Sequence, residues 1–511
     1  MAWWLIVLII LGVLVLVVAL YDIVQASDPI LRNFPLVGHF RKVLSSSGPK
    51  LRQYIVAANN EERPFSRDQR TWVYGTAAGD SAYVGFGTDN VIDRDSHIII
   101  KQSTFPNTTP IGENAPLPCA KIMGAWRGRT YQFRPESAVY VSAMSYGSLS
   151  ARAVEAINRG CAISGSMHNT GEGGVAYPHR NGGKLMFQFG TGYFGCRNAD
   201  GTFSLEALLE TVASAEVACI EVKLSQGAKP GLGGVLPGKK VTPAIAKARG
   251  VEVGQTVHSP NRHSAFDNVD GLIDFVEMIA NATGLPVGIK SAVGQQNFWD
   301  ELAGRMAARS EGPDFISIDG GEGGTGAAPL AFSDHVSLPF REGFARAHKP
   351  FVDAGLHQGI IFNGSGRLGF PADALLAFAM GADMIGLARE PMLALGCIQA
   401  QRCHDGHCPT GITTHNKWLV RGLDPTDKAT KLANYLVGLR GEILKLSHAC
   451  GVAHPALVTA DMIELIDEPH RSSTIAELFE IDVTQPSIDD EQQQVIRQVM
   501  SELASAATAA R

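Results

Sequence analysis

The sequence predicts an α/β fold: a (β/α)8 barrel preceded by an N-terminal transmembrane helix and followed by a helical C-terminal extension. Three observations predict it. An uncharged apolar run opens the chain; from about Ala138, eight short apolar or β-branched runs each end in a Gly-rich polar loop and lead into an Ala-rich stretch; and the residues after about Trp418 carry a helical pattern. The expected organisation is therefore 1–22 transmembrane helix, 23–135 juxtamembrane linker and adapter, 136–420 barrel, and 421–511 helical extension. An open doubly wound sheet is the competing arrangement. No Gly-x-Gly-x-x-Gly follows an early strand with an acidic residue about 20 positions later, so a Rossmann dinucleotide site is not expected.

The first element, "LIVLIILGVLVLVVAL" within Met1–Tyr21, is long enough to cross a bilayer and is apolar on every face, unlike an amphipathic core helix. Trp3, Trp4 and Tyr21 stand at its ends, as interfacial aromatics do, and the next basic residues, Arg32, Arg41, Lys42, Lys50 and Arg52, all follow it. This places the body on the cytoplasmic side. A cleaved signal peptide would want a basic n-region, which is absent. The linker that follows mixes Pro, Gly and basic residues, with a short helical pattern around Leu51–Ala58, and "SHIIIK" and "GRTYQF" read as β-like runs in the adapter.

Composition bounds the class. The 511 residues contain 55 glycines, 45% hydrophobic and 18% charged residues, which describes a folded, loop-rich protein. With 44 basic against 50 acidic side chains and no long basic run, nucleic acid is not an expected partner. Five of the eight cysteines lie far apart in a chain too large to need stapling, which points to a reducing compartment.

The strand runs are "VYVSAMSYG", "AISGSMHNTGEGG", "LMFQFGTGYFG", "ACIEVKLSQGAK", "PVGIKSAVG", "FISIDGGEGGTG", "GIIFNGSGRLG" and "DMIGLAREP", with a large insertion at about Pro230–Leu285. Active sites of such barrels gather at the carboxyl ends of the strands, and the loops after strands seven and eight commonly bind a phosphate. "NGSGRLG", with Gly364 and Gly366, and "IGLARE", with Gly386, occupy those positions, so a flavin or sugar phosphate is the expected guest. "IDGGEGGTGAAP" puts five glycines in the nine residues Asp319–Ala327, a loop able to lie flat beside a planar ring or a phosphate. Glu172, Lys223, Lys229 and Lys290 fall at strand ends, where lysines could hold a carboxylate or the electron-rich edge of a flavin. Structural ion pairing and helix capping are the alternatives for these residues.

"GCIQAQRCHDGHC" places Cys397, Cys403 and Cys408 on one loop after strand eight, with His404 and His407 nearby. Spacing alone leaves three readings open: an iron-sulfur cluster, a zinc site completed by a histidine, or structural thiols.

The ordered set "SAMSYGSLS", "NTGEGG", "KLSQGAKPGLGGVLPGKKV", "SPNRH", "GGEGGTGAAP" and the cysteine loop, over about Ala138–Leu465, resembles the FMN-binding synthase domain of glutamate synthase. That resemblance implies FMN and a 3Fe-4S cluster, with Cys397, Cys403 and Cys408 as its three ligands and the histidines as bystanders. It also implies that Ser142, Ala143, Met144 and Ser145 line the flavin, that Gly324, Thr325, Gly326, Gly364 and Gly366 hold its tail, and that Glu172, Lys223 and Lys290 lie near substrate and ring. The implied reaction is reduction of 2-iminoglutarate, from 2-oxoglutarate and ammonia, by FMN hydride, with electrons entering through the cluster from a donor such as ferredoxin or a reductase subunit. An expectation of the same resemblance is that the glutaminase and β-helical domains are missing, so ammonia comes from outside. "SAVGQQNFW" after Lys290 departs from the family pattern and leaves room for another amino or N-substituted amino acid as substrate, or for an electron-transfer subunit without one.

Overall fold

The computed structural model describes residues 3–25, 29–56, 58–81, 83, 85–468 and 471–509. The chain divides into two compact units, Met1–Thr71 and Trp72–Arg511. In the first, the apolar helix Trp3–Val24 is followed by short helix Pro29–Asn33, helix Val37–Leu51 and a π-turn, Arg52–Val56. The helical pattern read around Leu51–Ala58 is thus the end of a longer helix that begins at Val37.

The second unit holds a closed barrel of eight parallel strands: β1 (Val139–Val141), β2 (His168–Asn169), β3 (Leu185–Phe189), β4 (Val217–Lys223), β5 (Val287–Ala292), β6 (Phe315–Asp319), β7 (Ile361–Ser365) and β8 (Met384–Leu387). They pair in chain order, and β8 closes on β1 with Ile385 opposite Val139. Most of these strands are buried throughout because the barrel interior covers one face and helices the other, which is why they read as apolar runs. β2 is shorter than its run suggested. Ala162–Ser164 belong instead to helix Ala151–Ser164, which Gly165 terminates with its left-handed φ of 68°.

Polar side chains hydrogen-bond to one another in the barrel interior. The Glu221 carboxylate accepts from Asn169 Nδ2 at 2.7 Å, Gln188 Nε2 at 2.5 Å and Ser317 Oγ at 2.6 Å. Where the adapter region meets the barrel helices, Arg129 Nε donates to Asp314 Oδ2 at 2.9 Å and its Nη1 to Glu277 Oε2 at 2.8 Å.

The insertion between β4 and β5 contains helix Pro243–Arg249, helix Val269–Thr283 and a small antiparallel pair, Val235–Leu236 with Val257–His258. The extension is led by helix Pro425–Ala449, capped by Asp424, and includes helix Asp490–Ala509. Between them Ile463–Glu468 and Arg471–Thr474 form strands that sequence patterning reads as helical; the first pairs with Ile98–Ile100, the "SHIIIK" run. "GRTYQF" contributes only an isolated bridge, Met123 to Phe133.

Candidate active site

A cavity of about 330 Å³ opens at the carboxyl ends of the strands. Its wall is assembled from the loops after the strands, and most of the sequence-predicted residues reach it: Ser142, Ala143, Met144, Ser145, Glu172, Lys223, Lys290, Gly324, Thr325, Gly326, Gly366, Gly386 and Cys403. Tight backbone packing makes this convergence possible. A Cβ on Gly171, whose φ is 64°, would sit 2.5 Å from Ser145 N, so only glycine lets the β1 and β2 loops meet.

Glu172 and Lys223 form a pair at 2.9 Å, and Lys223 Nζ also donates to Gln226 Oε1 at 2.7 Å. Burial opposes ionisation of Glu172, but the Lys223 ammonium, with Arg249 and Lys229 farther off, holds its carboxyl below the usual range. Lys290 lies 3.6 Å from Asp319 Oδ2 and 3.5 Å from Ser142 Oγ. Asp319, at the end of β6, accepts from Gly227 N at 2.8 Å and from Ser365 Oγ at 2.8 Å, so it ties together loops from three strands.

The glycine loop after β6 lies against Arg389: a Cβ on Gly324 would approach Arg389 Cδ to 2.7 Å, and Arg389 donates to the Glu322 carbonyl. Arg367 and Arg389 bring two guanidiniums to the same wall as Gly324, Thr325, Gly326 and Gly366. Gly364, expected at the cofactor tail, does not line the cavity. It faces away, where its bare Cα leaves space for the Phe340 ring, 2.9 Å from the position of a Cβ.

Several wall residues gave little sequence signal. Gln188 and Asp319 are strand residues whose inward direction only the barrel reveals, and Arg367 and Arg389 sit inside motifs read for their glycines. Arg249 comes from the insertion. It is 5% exposed, donates from Nη2 to Tyr146 O at 3.3 Å and lies over the Phe194 ring at 4.8 Å, while its Nε has no hydrogen-bond partner. Burial lowers its pKa to about 10, against the opposing pull of Glu172. Burial likewise pushes Lys229 down, with Glu172 opposing. In all, seven cationic side chains line the cavity against two carboxylates, in a chain whose net charge is −6.

Beside this wall runs the cysteine loop. Cys403 lines the cavity, Cys408 is buried and Cys397 half-buried. Burial pushes the Cys403 thiol up, whereas hydrogen bonds from Thr410 and Thr413 outweigh burial at Cys408 and bring it down. Lys240 Nζ donates to Cys403 O at 3.2 Å. His404 also lines the cavity, and His407 is exposed beside Asp405. Among the described residues, no group of three or more His, Cys, Asp or Glu side chains converges as the ligands of one metal ion would.

The conserved region in glutamate synthase matches residues 129–453. The glutamate synthase large subunit-like protein YerD of Bacillus subtilis (strain 168) is 34% identical over 487 residues, covering 87% of this chain and 92% of that protein. Archaeal-type glutamate synthase [NADPH] of Thermotoga neapolitana is 34% identical over 323 residues, 63% of this chain and 61% of the relative. The archaeal glutamate synthase [NADPH] of Methanocaldococcus jannaschii is 34% identical over 322 residues, 62% and 59% respectively. The match spans the barrel, its cavity loops and the cysteine loop, and by it the chain belongs to the glutamate synthase family.

Proposed function

We propose that the chain forms L-glutamate by reducing 2-iminoglutarate, made from 2-oxoglutarate and ammonia, in the cavity at the barrel mouth. The observation that carries this reading is the seven-to-two excess of cations over carboxylates around glycine-lined walls, which suits an anionic cofactor beside a dicarboxylate substrate. A bound FMN would supply hydride chemistry and a 3Fe-4S cluster one-electron transfer.

The residues fit the flavin. Gly324, Thr325, Gly326 and Gly366 offer close backbone approach, and Arg367 and Arg389 supply positive charge for a phosphate. Ser142, Ala143, Met144 and Ser145, with Gly386, face the remaining wall, where Lys290 provides a cation for an electron-rich ring edge. Lys223, Lys229 and Arg249 are the groups for the two substrate carboxylates. Glu172, held ionised by Lys223, accepts hydrogen bonds from the ammonium or imine nitrogen.

The cysteine loop fits the cluster in its donor chemistry: three thiols lie within twelve residues, one of them on the cavity wall. Ligands of a cluster each hold a different iron, so they need not converge as those of a single ion do. The electron donor belongs to the class of ferredoxins or pyridine-nucleotide reductase subunits. The apolar helix Trp3–Val24, none of whose apolar window is buried, is the membrane anchor, with the body on the side of the basic residues that follow it.

The test is anaerobic spectroscopy of detergent-extracted protein. The reading expects flavin absorbance, iron with labile sulfide, and reoxidation of the reduced protein by 2-oxoglutarate with ammonia, yielding glutamate. Methylamine in place of ammonia separates the N-substituted alternative, and a flavin spectrum indifferent to every 2-oxo acid would leave only electron transfer. In Cys403→Ser, iron falls while FMN stays; unchanged iron content removes the cluster assignment.

A further inference from the structure

The first unit carries a feature that a simple anchor does not need. Between positions 29 and 60 the chain has five basic residues, Arg32, Arg41, Lys42, Lys50 and Arg52, and no acidic one. Helix Val37–Leu51 lies in this stretch. At 100° per residue, Val37, Phe40, Val43, Leu44 and Leu51 fall within an arc of about 120°, the layout of a helix with one apolar face. That face is bare: Val37 is 73%, Phe40 65% and Val43 57% exposed.

The start of this helix is pinned to the end of the apolar helix Trp3–Val24. Asp22, whose side chain is fully buried, accepts from Leu36 N at 3.0 Å, and both its oxygens lie 3.0 Å from His39 Nε2. About four turns of helix thus begin at the level where the apolar helix ends, carrying exposed apolar side chains with cations around them.

We propose that Val37–Leu51 lies in the headgroup–acyl boundary of an anionic bilayer, its apolar face toward the acyl chains and Arg41, Lys42 and Lys50 toward anionic headgroups. The occupant is a lipid surface rather than a protein because the face continues directly from a bilayer-spanning helix and the charge around it is of one sign, complementary to anionic lipid. Long basic side chains at its border reach headgroups while their stems stay in apolar surroundings. The proposal rests on the anchor reading of Trp3–Val24.

The experiment uses the full-length protein in vesicles of phosphatidylcholine with phosphatidylglycerol, carrying p-benzoylphenylalanine in place of Phe40 or of Ser46, which lies about 120° around the helix from Phe40 and outside the apolar arc. The expected result is about fivefold more phospholipid photoadduct from position 40, falling in phosphatidylcholine alone or at high salt. Equal labelling at the two positions, or crosslinking from position 40 into protein, overturns the interfacial helix and leaves the anchor standing. Release of the protein by alkaline carbonate overturns the anchor and this proposal together. As a second arm, Phe40→Glu with Leu44→Glu loses the phosphatidylglycerol dependence of vesicle binding while turnover in detergent is unchanged; undiminished dependence in that variant counts against the proposal.

Discussion

Lys290 stands at the end of β5 with only longer contacts to Ser142 and Asp319, 3.5 and 3.6 Å, so its charge is directed to the cavity rather than consumed in a short pair. If it stabilises charge on a reduced flavin, Lys290→Ala lowers the rate of substrate reduction by about 100-fold, the scale of removing one preorganised electrostatic group. Single-turnover kinetics check this, and unaltered rates and spectra would make Lys290 structural. Arg249 differs because its buried Nε is unpaired. For Arg249→Leu we expect the KM for the 2-oxo acid to rise about 10- to 100-fold, the worth of a charged hydrogen bond, with the reduced-flavin spectrum unchanged. Steady-state kinetics with 2-oxoglutarate decide it. These two residues also show which parts of the cavity wall the sequence places and which it does not. Lys290 was legible because it follows an apolar run in a βα unit, and Arg249 was not, because helix Pro243–Arg249 lies in an insertion whose path over the barrel mouth no local pattern states.

At the scale of elements, the barrel was legible because both faces of each strand are covered, leaving apolar runs bounded by glycine loops. β2 reads too long in sequence because two residues suffice there and the preceding helix supplies the apolar pattern. Pairing hid the rest: Ile463–Glu468 is a strand held on one edge by its hairpin partner Arg471–Thr474 and on the other by Ile98–Ile100, more than 300 residues away. The join between the adapter and the barrel helices depends similarly on Arg129, shared by Glu277 and Asp314. Although burial opposes it, Arg129 and Arg127 with the Gly312 N–H hold the Glu277 carboxyl at about 2, against an ordinary value of 4.5. A depressed carboxyl adds stability that is whole above the ordinary value and fades as pH falls toward the folded one, here worth roughly 3 kcal/mol. Burial, with a lesser push from the Glu277 charge, raises Asp314 to about 6, which gives it the opposite dependence; Glu277→Gln removes only that lesser push and leaves burial and Arg129 acting on Asp314 in both chains. The Tm gap between wild type and Glu277→Gln should therefore narrow as pH falls from 5 toward 3. Calorimetry checks it; a gap constant with pH would show that the pair contributes geometry and not proton-linked stability.

At the scale of the whole molecule, the cavity and the apolar helix occupy different compact units. Every residue lining the cavity falls between Ser142 and Thr413, inside Trp72–Arg511, whereas Trp3–Val24 belongs to Met1–Thr71. The barrel side also carries its own closing contacts. Helix Pro425–Ala449 packs on Ala151–Ser164 through Gly160, where a Cβ would lie 2.9 Å from Ala429 O, and its Tyr435 hydroxyl donates to Gly369 O at 2.8 Å. Neither the cavity nor this packing draws on the apolar helix, so deleting residues 1–24 should leave flavin content and kcat within about twofold of the full chain, as expected for a change remote from the reacting groups. The same deletion removes the one described segment long and apolar enough to span a bilayer, and the truncated protein, left with the amphipathic helix Val37–Leu51, should be released from the membrane pellet by high salt without detergent. Loss of flavin on truncation would mean that the first unit supports the cavity. A truncated chain that stays with vesicles at high salt would locate a salt-resistant membrane attachment beyond residue 24.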